Sequence, residues 1–253
     1  MEHYIDLNCD LGESFGPYVL GNDEEVLKEI TSANIACGYH AGDYRVMAQT
    51  VKQAAAAGVA AGAHPGFQDL QGFGRREIQT SPEDVYQLTV YQVSALQGFC
   101  RIEGTAMQHV KPHGALYNMA GRDPGLAEAI ASAVYDVDKS LILFGLSGSE
   151  LVKAGERQGL RVAKEAFADR TYQPDGSLTP RGRDNAVIHD ADTAVRHVKQ
   201  MILEGTCTAV DGTIIPLEVD TLCVHGDNPQ TLAFTRSLRH MLLEEGIQIR
   251  SFT

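Results

Sequence analysis

The sequence predicts an α/β fold, a single βα barrel, on three observations. Short apolar segments alternate with helical patterns from one end of the chain to the other. Polar clusters follow nearly every one of those segments, and no linker, repeat or Pro/Ser tract interrupts the series. An open doubly wound sheet shares the alternation, but it concentrates functional residues on a few loops near one switch point. A barrel ends all its strands at one face, so recurrent polar clusters favour it.

The seven candidate strands are 4–8, 33–37, 59–63, 109–111, 141–144, 161–166 and 221–224. They are brief, apolar and mostly bounded by Gly, Pro or charge, as buried parallel strands are. Helix starts lie between them. Ser81-Pro82-Glu83-Asp84 combines a capping hydroxyl, a Pro at the first helical position and an acid three residues after the cap. Ser147-Gly148-Ser149-Glu150 repeats the spacing and assigns a cap to Ser147, while Asp123-Pro124 and Asn228-Pro229 begin two more helices. Gly58, Gly159, Gly205 and Gly246 close helical runs, where a left-handed residue is wanted. The run 44–57 has apolar residues at helical spacing and ends in four alanines.

Two stretches fall outside this rhythm. Residues 209–214 contain Asp211-Gly212 and predict a hairpin closed by a type I′ turn. Residues 169–185 are polar, rich in Gly, Pro and Arg, and too long for a plain connection, which predicts a lid. The whole of 1–253 is expected to fold as one domain.

Composition narrows the function. With 43% hydrophobic and 21% charged residues, the chain has the make-up of a globular enzyme. Its net charge of −12, with no basic run, argues against nucleic acid and anionic membrane as partners. The N-terminus lacks the apolar region of a signal peptide, and no stretch approaches the roughly 18–20 apolar residues of a membrane span. Five cysteines without a CxxC pair fit free thiols in a reducing cytoplasm.

Chemistry gathers at the strand ends, where a His or an acid precedes Gly again and again. Strand one carries Asn8, Asp10 and Glu13, strand two His40 and Asp43, and strand three His64 followed by Arg75 and Arg76. Lys111 and His113 follow strand four, Glu165 and Asp169 the sixth, and His225 the last. Crowding histidines, carboxylates and a lysine into one low-dielectric space drives their pKa values apart, so that one group serves as base and another as acid.

Several of these residues have plainer uses. Asp10 and Asp43 suit helix caps as well as catalysis, and Cys9, Cys37 and Cys223 suit inert buried thiols. Arg75 and Arg76 suit an anion clamp or solvated surface. Lys111 inside a strand is costly unless paired or functional. Asp10, His40 and His64 offer a carboxylate and two imidazoles to a metal, although their spacing gives no independent support. The Walker loop, the Gly-x-Gly-x-x-Gly turn and His-Glu-x-x-His are all absent, and Gly145-Leu146-Ser147-Gly148-Ser149 misses the nucleophile elbow at its last position.

In order along the chain, DLNCDLGE, SANIACGYHAGD, GAHPGFQD, GFGRR, VKPHGALYN, EAFADR and CVHGDNP resemble the LamB/YcsF family, whose members are A subunits of bacterial ATP-dependent 5-oxoprolinase. Tyr39 stands where the family is expected to have Phe. The resemblance implies a single, somewhat irregular seven-stranded βα barrel similar to those of polysaccharide deacetylases. It also implies cleavage of the 5-oxoproline lactam to glutamate, coupled to ATP hydrolysis, with B and C subunits as partners. Asp10, Glu13, His40, Asp43, His64, Lys111 and His113 are then the candidate catalytic residues. Among them Asp10 or Glu13 forms an acid/base pair with His40, His64 and His113 are polarising donors, and Lys111 or Arg75 is the anion partner. Asn8, Arg75, Glu165, Asp169 and His225 are candidate substrate contacts. A stand-alone metal-dependent deacetylase and a non-catalytic scaffold protein are the rival readings.

Overall fold

The computed structural model describes residues 4–180, 182–188, 190–224 and 229–252. In chain order it comprises β1 (Tyr4–Leu11), α1 (Asp23–Val26), β2 (Ser32–Ala36), α2 (Tyr44–Ala57), β3 (Ala60–His64), α3 (Pro82–Ile102) and β4 (Met107–Val110). There follow α4 (Gly114–Arg122), α5 (Pro124–Val137), β5 (Ile142–Leu146), α6 (Glu150–Gln158), β6 (Arg161–Phe167) and α7 (Ala191–Lys199), which runs into a π-helical turn at Gln200–Glu204. The chain then forms β7 (Thr206–Thr208), β8 (Ile214–Pro216), β9 (Thr221–Val224), α8 (Pro229–Glu244) and β10 (Gln248–Ile249).

Strands β1, β2, β3, β4, β5, β6 and β9 are hydrogen-bonded in that order, all parallel, and β9 closes the ring on β1. The expected seven-stranded barrel is therefore present. β10 adds a short parallel strand beside Tyr4 and Ile5, which the sequence did not suggest. Among the described residues no helix is long and apolar enough to cross a membrane.

The barrel wall is built on period two. In β1, Ile5, Leu7, Cys9 and Leu11 belong to the main apolar core, while Asp6, Asn8 and Asp10 alternate with them. Successive side chains of a strand point to opposite faces, so the polar three share one face. They meet polar residues of β2, β6 and β9 across the barrel, which makes that face the interior. One side of the interior is apolar: Ile142, Phe144 and Ala163 form a separate small cluster, and Phe144 stacks on His109 at 4.2 Å. Gly62, paired with His109, has to lack a side chain, because a Cβ there would lie 2.2 Å from the His109 ring.

Most caps follow the sequence. Ser81 accepts from Asp84 N, Asp123 from Gly125 N and Leu126 N, and Gly58, Gly159 and Gly205 close their helices in the left-handed conformation. Two expectations need correction. The cap of α6 is Ser149, whereas Ser147 is still held at the sheet end through its N–H to Glu165 O. The hairpin exists, but residues 209–213 are its loop. A type I′ turn needs two positive φ angles; Gly212 has one, Asp211 does not, and the Asp211 carboxylate instead accepts from Thr213 N. The 169–185 stretch, expected as a lid, is braced internally, with Arg170 donating to Thr179 O and Ala186 O, and Tyr172 fully buried. The start of α8 at Asn228 lies outside the described residues.

Candidate active site

At the base of the site, a chain of buried polar side chains crosses the barrel. Asp6 accepts from Thr31, Ser32 and Thr221, hydroxyls that only partly offset burial, which keeps its pKa raised. Above it, the Asn8 amide donates to Glu165 Oε1 at 2.9 Å and Thr221 Oγ1 at 2.8 Å, and its oxygen accepts from Asn34 at 2.7 Å. Asn34 also donates to Asp10 Oδ1, and its own oxygen is 2.8 Å from His109 Nε2. A carbonyl only accepts, so His109 carries its proton on Nε2.

Lys111 lies at the centre of this network. Its Nζ is 2.8 Å from Glu165 Oε1, 3.1 Å from Asn8 Oδ1, and 3.2 Å from both Asp10 Oδ1 and Cys223 Sγ. Burial pushes a lysine pKa down, but the Asp10 and Glu165 carboxylates hold this one well above its ordinary value. Burial likewise pushes Asp10 upward, and the His64 ring and Lys111 outweigh it, keeping the carboxyl well below the usual range. Glu165 is bound on its other oxygen by Tyr117, at 2.6 Å.

Three imidazoles stand above Asp10. His64 Nε2 is 3.3 Å from Asp10 Oδ2 and 3.0 Å from His113 Nδ1. The outer nitrogens of this pair are fixed by backbone: His64 Nδ1 is 2.7 Å from Lys111 O, and His113 Nε2 is 2.8 Å from Phe73 O. His40 stacks flat on His113 at 3.7 Å, with its Nε2 3.5 Å from Glu13 Oε1. Burial holds His40 well below its ordinary pKa and pushes His113 down to about 3. The packing requires glycine, since a Cβ on Gly74 would lie 2.6 Å from His40 Cβ and 2.9 Å from His113 Cδ2. Next to it, Phe73 adopts a φ of +55°, rare for a bulky residue, which aims its carbonyl at His113 while its ring meets both imidazoles edge-on. Glu13, His40, His64 and His113 have donor atoms within 4.8 Å of one another and are, among the described residues, the group able to hold a metal.

The structure thus brings together Asn8, Asp10, Glu13, His40, His64, Lys111, His113 and Glu165. Arg75 is exposed beside them, its guanidinium 5.1 Å from the Phe73 ring centre. Asp43 stands apart: it caps α2 through Arg45 N and Val46 N and accepts from Gly16 N. Asp169 follows β6 and opens the braced loop, its carbonyl accepting from Ile188 N. His225 lies outside the described residues. The metal set read from the sequence changes, with Glu13 and His113 joining His40 and His64 while Asp10 pairs with Lys111.

Residues 5–253 match the LamB/YcsF family. This chain belongs to the LamB/YcsF family. Among its relatives, the 5-oxoprolinase A subunit of Halalkalibacterium halodurans is 62% identical over 245 residues, covering 97% of this chain and 95% of its own length. The crystal structure of the lactam utilization protein from Thermus thermophilus superimposes with a TM-score of 0.93 at 44% identity, over 98% of this chain and 100% of that one. The catalytic domain of a peptidoglycan N-acetylglucosamine deacetylase from Eubacterium rectale aligns at a TM-score of 0.52 and 10% identity, over 100% of this chain and 90% of that one, a likeness of fold alone.

In this LamB/YcsF protein, Asn34, His109, Tyr117, Thr221 and Phe73 belong to the site although the sequence pattern did not single them out. The first two and Thr221 announce themselves by alternation, each a polar position on the same strand face as a selected neighbour. Tyr117 and Phe73 carry no such signal, because helix and loop geometry alone bring them in.

Proposed function

We propose that this chain is the A component of a 5-oxoprolinase, a cytoplasmic enzyme that opens the 5-oxoproline lactam to glutamate with ATP hydrolysis and with B and C subunits. The observation that carries this reading is the buried Asp10–Lys111–His64–His113 constellation at the strand ends, in a chain 62% identical to a protein named as the A component of 5-oxoprolinase. Five buried free thiols support the reducing compartment.

A lactam is a stable amide. Transfer of the ATP γ-phosphoryl group to its oxygen, with loss of ADP, makes the ring carbon electrophilic, and water adding there forms the tetrahedral centre. The C–N bond then breaks as the ring nitrogen takes a proton, and a second water releases phosphate from the resulting acyl phosphate. The protein then supplies a water-orienting base, donors for the developing oxyanion and a clamp for the substrate carboxylate. Asp10 remains ionised between Lys111 and His64, so its outer oxygen is ready to accept from water. His64 and His113 turn their inner nitrogens, Nε2 and Nδ1, to the same space and polarise a substrate oxygen once a proton or an ion is held there. Glu13, 3.5 Å from His40, is the further acid/base candidate. Lys111 is already committed to Asn8, Asp10 and Glu165, which leaves the carboxylate clamp to Arg75 at the rim. Asp169 and His225 are retained as substrate contacts from the β6 and β9 ends.

The test is glutamate release from 5-oxoproline by the chain alone and with its B and C counterparts, with and without ATP. Release only when ATP and all three proteins are present supports the proposal. No release in any combination overturns it. Amide or sugar deacetylation by the chain alone, without ATP, would favour a metal-dependent deacetylase instead.

A further inference from the structure

The hydrogen bonds of His64 and His113 leave a gap that proton counting exposes. Lys111 O and Phe73 O only accept, so His64 Nδ1 and His113 Nε2 must each carry a proton. A neutral imidazole has one proton, and both are thereby used. His64 Nε2 and His113 Nδ1 then face each other as bare lone pairs at 3.0 Å, with Asp10 Oδ2 3.3 Å from His64 Nε2, an arrangement that requires a positive particle near them.

A shared proton and a metal ion both meet that need, and two observations favour the metal. First, imidazoles whose outer N–H groups are tied to backbone carbonyls are the arrangement that orients histidine for metal binding. Second, among the described residues the buried part of the pocket holds three carboxylates, Asp10, Glu13 and Glu165, against the ammonium of Lys111, with Arg75 exposed at the rim. Within this buried group one proton still leaves a net negative charge, whereas a divalent ion balances it. Glu13 Oε1 lies 4.0 Å from His113 Nδ1, close enough to close onto an ion by side-chain rotation. Buried His40, neither of whose ring nitrogens has a hydrogen-bond partner among the described residues, stacks at 6° to His113. In-plane lone pairs of stacked rings do not converge on one point, so His40 forms the wall of the site rather than a ligand.

We infer that the pocket binds one first-row divalent transition-metal ion, of the class represented by zinc, between His64 Nε2, His113 Nδ1 and the Glu13 carboxylate. A tetrahedral zinc site places its nitrogen ligands roughly 3.3 Å apart, so the pair needs to open by only a few tenths of an ångström. Imidazole with carboxylate selects this class over magnesium or calcium, which prefer all-oxygen shells. Once bound, such an ion would supply Lewis-acid polarisation of a substrate oxygen.

Ion binding here depends on ring geometry and not on the choice of substrate, and its test contains no substrate, nucleotide or partner protein. The full chain is stripped with a chelator and titrated with Co2+, then with Zn2+, while visible absorption and melting temperature are followed. One equivalent of Co2+ with the d–d bands of a low-coordinate site, displaced by Zn2+ and accompanied by a rise in melting temperature, is expected. His113→Gln and Glu13→Gln are expected to lose the bands. A folded wild-type chain that shows neither bands nor a melting shift overturns the inference and leaves the shared proton as the answer. Unchanged bands in both variants overturn it too, since the ion would then sit elsewhere.

Discussion

Lys111 illustrates what single residues do in this barrel. An ammonium buried with two carboxylates gains little over an apolar replacement of the whole set, but removing one partner strands the others. Lys111→Met is therefore expected to lower unfolding free energy by about 3–5 kcal/mol, and adding Glu165→Gln to recover part of the loss. Urea denaturation of the single and double variants measures this; equal losses in both would contradict the pairing. Asp43 behaves differently. As an N-cap outside the cluster it contributes about 1 kcal/mol, so Asp43→Ala should lower the unfolding free energy from urea denaturation by that amount while glutamate release persists.

His109 gives the residue scale a pH signature. Burial drives its pKa from 6.5 down to about 3. As pH falls below 6.5 the unfolded chain takes up the proton first, so this contribution is complete above 6.5 and is lost progressively towards pH 3. The slope it adds approaches about 1.4 kcal/mol per pH unit. His109→Gln should give a shallower fall of stability over that window, measured by urea midpoints at several pH values, and an unaltered slope would count against it.

At the scale of elements, the strands do two jobs with alternate residues. β1 presents Ile5, Leu7, Cys9 and Leu11 to the apolar core and Asp6, Asn8 and Asp10 to the interior. That division explains why the strands were legible as apolar segments, and why their polar inner faces were recognised only where they ended in His or acid. β1 runs to Leu11, so Asp10 is a strand residue rather than part of the following turn. β10 and the loop of the β7–β8 hairpin were not legible, because the first is two residues long and the second depends on the Asp211 side chain rather than on turn type. Gly62 is the element-scale test. A methyl there meets the His109 ring, so Gly62→Ala should cost about 1–3 kcal/mol, whereas an unchanged melting curve would mean that β3 and β4 do not pack as described.

For the whole molecule, closing the sheet places the ends of β1, β2, β3, β4, β6 and β9 at one rim, so residues far apart in sequence share one polar space. Asn8 and Thr221 are 213 positions apart and hydrogen-bonded. Topology, and not local pattern, selects which strand-end residues meet. It collected Glu13, His40, His64 and His113 around Asp10 and Lys111 and left Asp43 capping its helix. Glu165, expected to touch substrate, anchors Lys111 and Tyr117 from below instead. Its burial follows from its place in β6, two residues before the strand ends, which the sequence read as the mouth.

Asp10 ties these scales together, because it joins β2, β3 and the residues after β4 through Asn34, His64 and Lys111. The most direct measurement is glutamate release by the complex reconstituted with Asp10→Asn, alongside circular dichroism of the variant chain. The expected result is an intact fold and a fall in turnover of at least about 10²-fold, the scale of a lost acid–base group. Full turnover in a folded Asp10→Asn complex would contradict a catalytic place for this carboxylate.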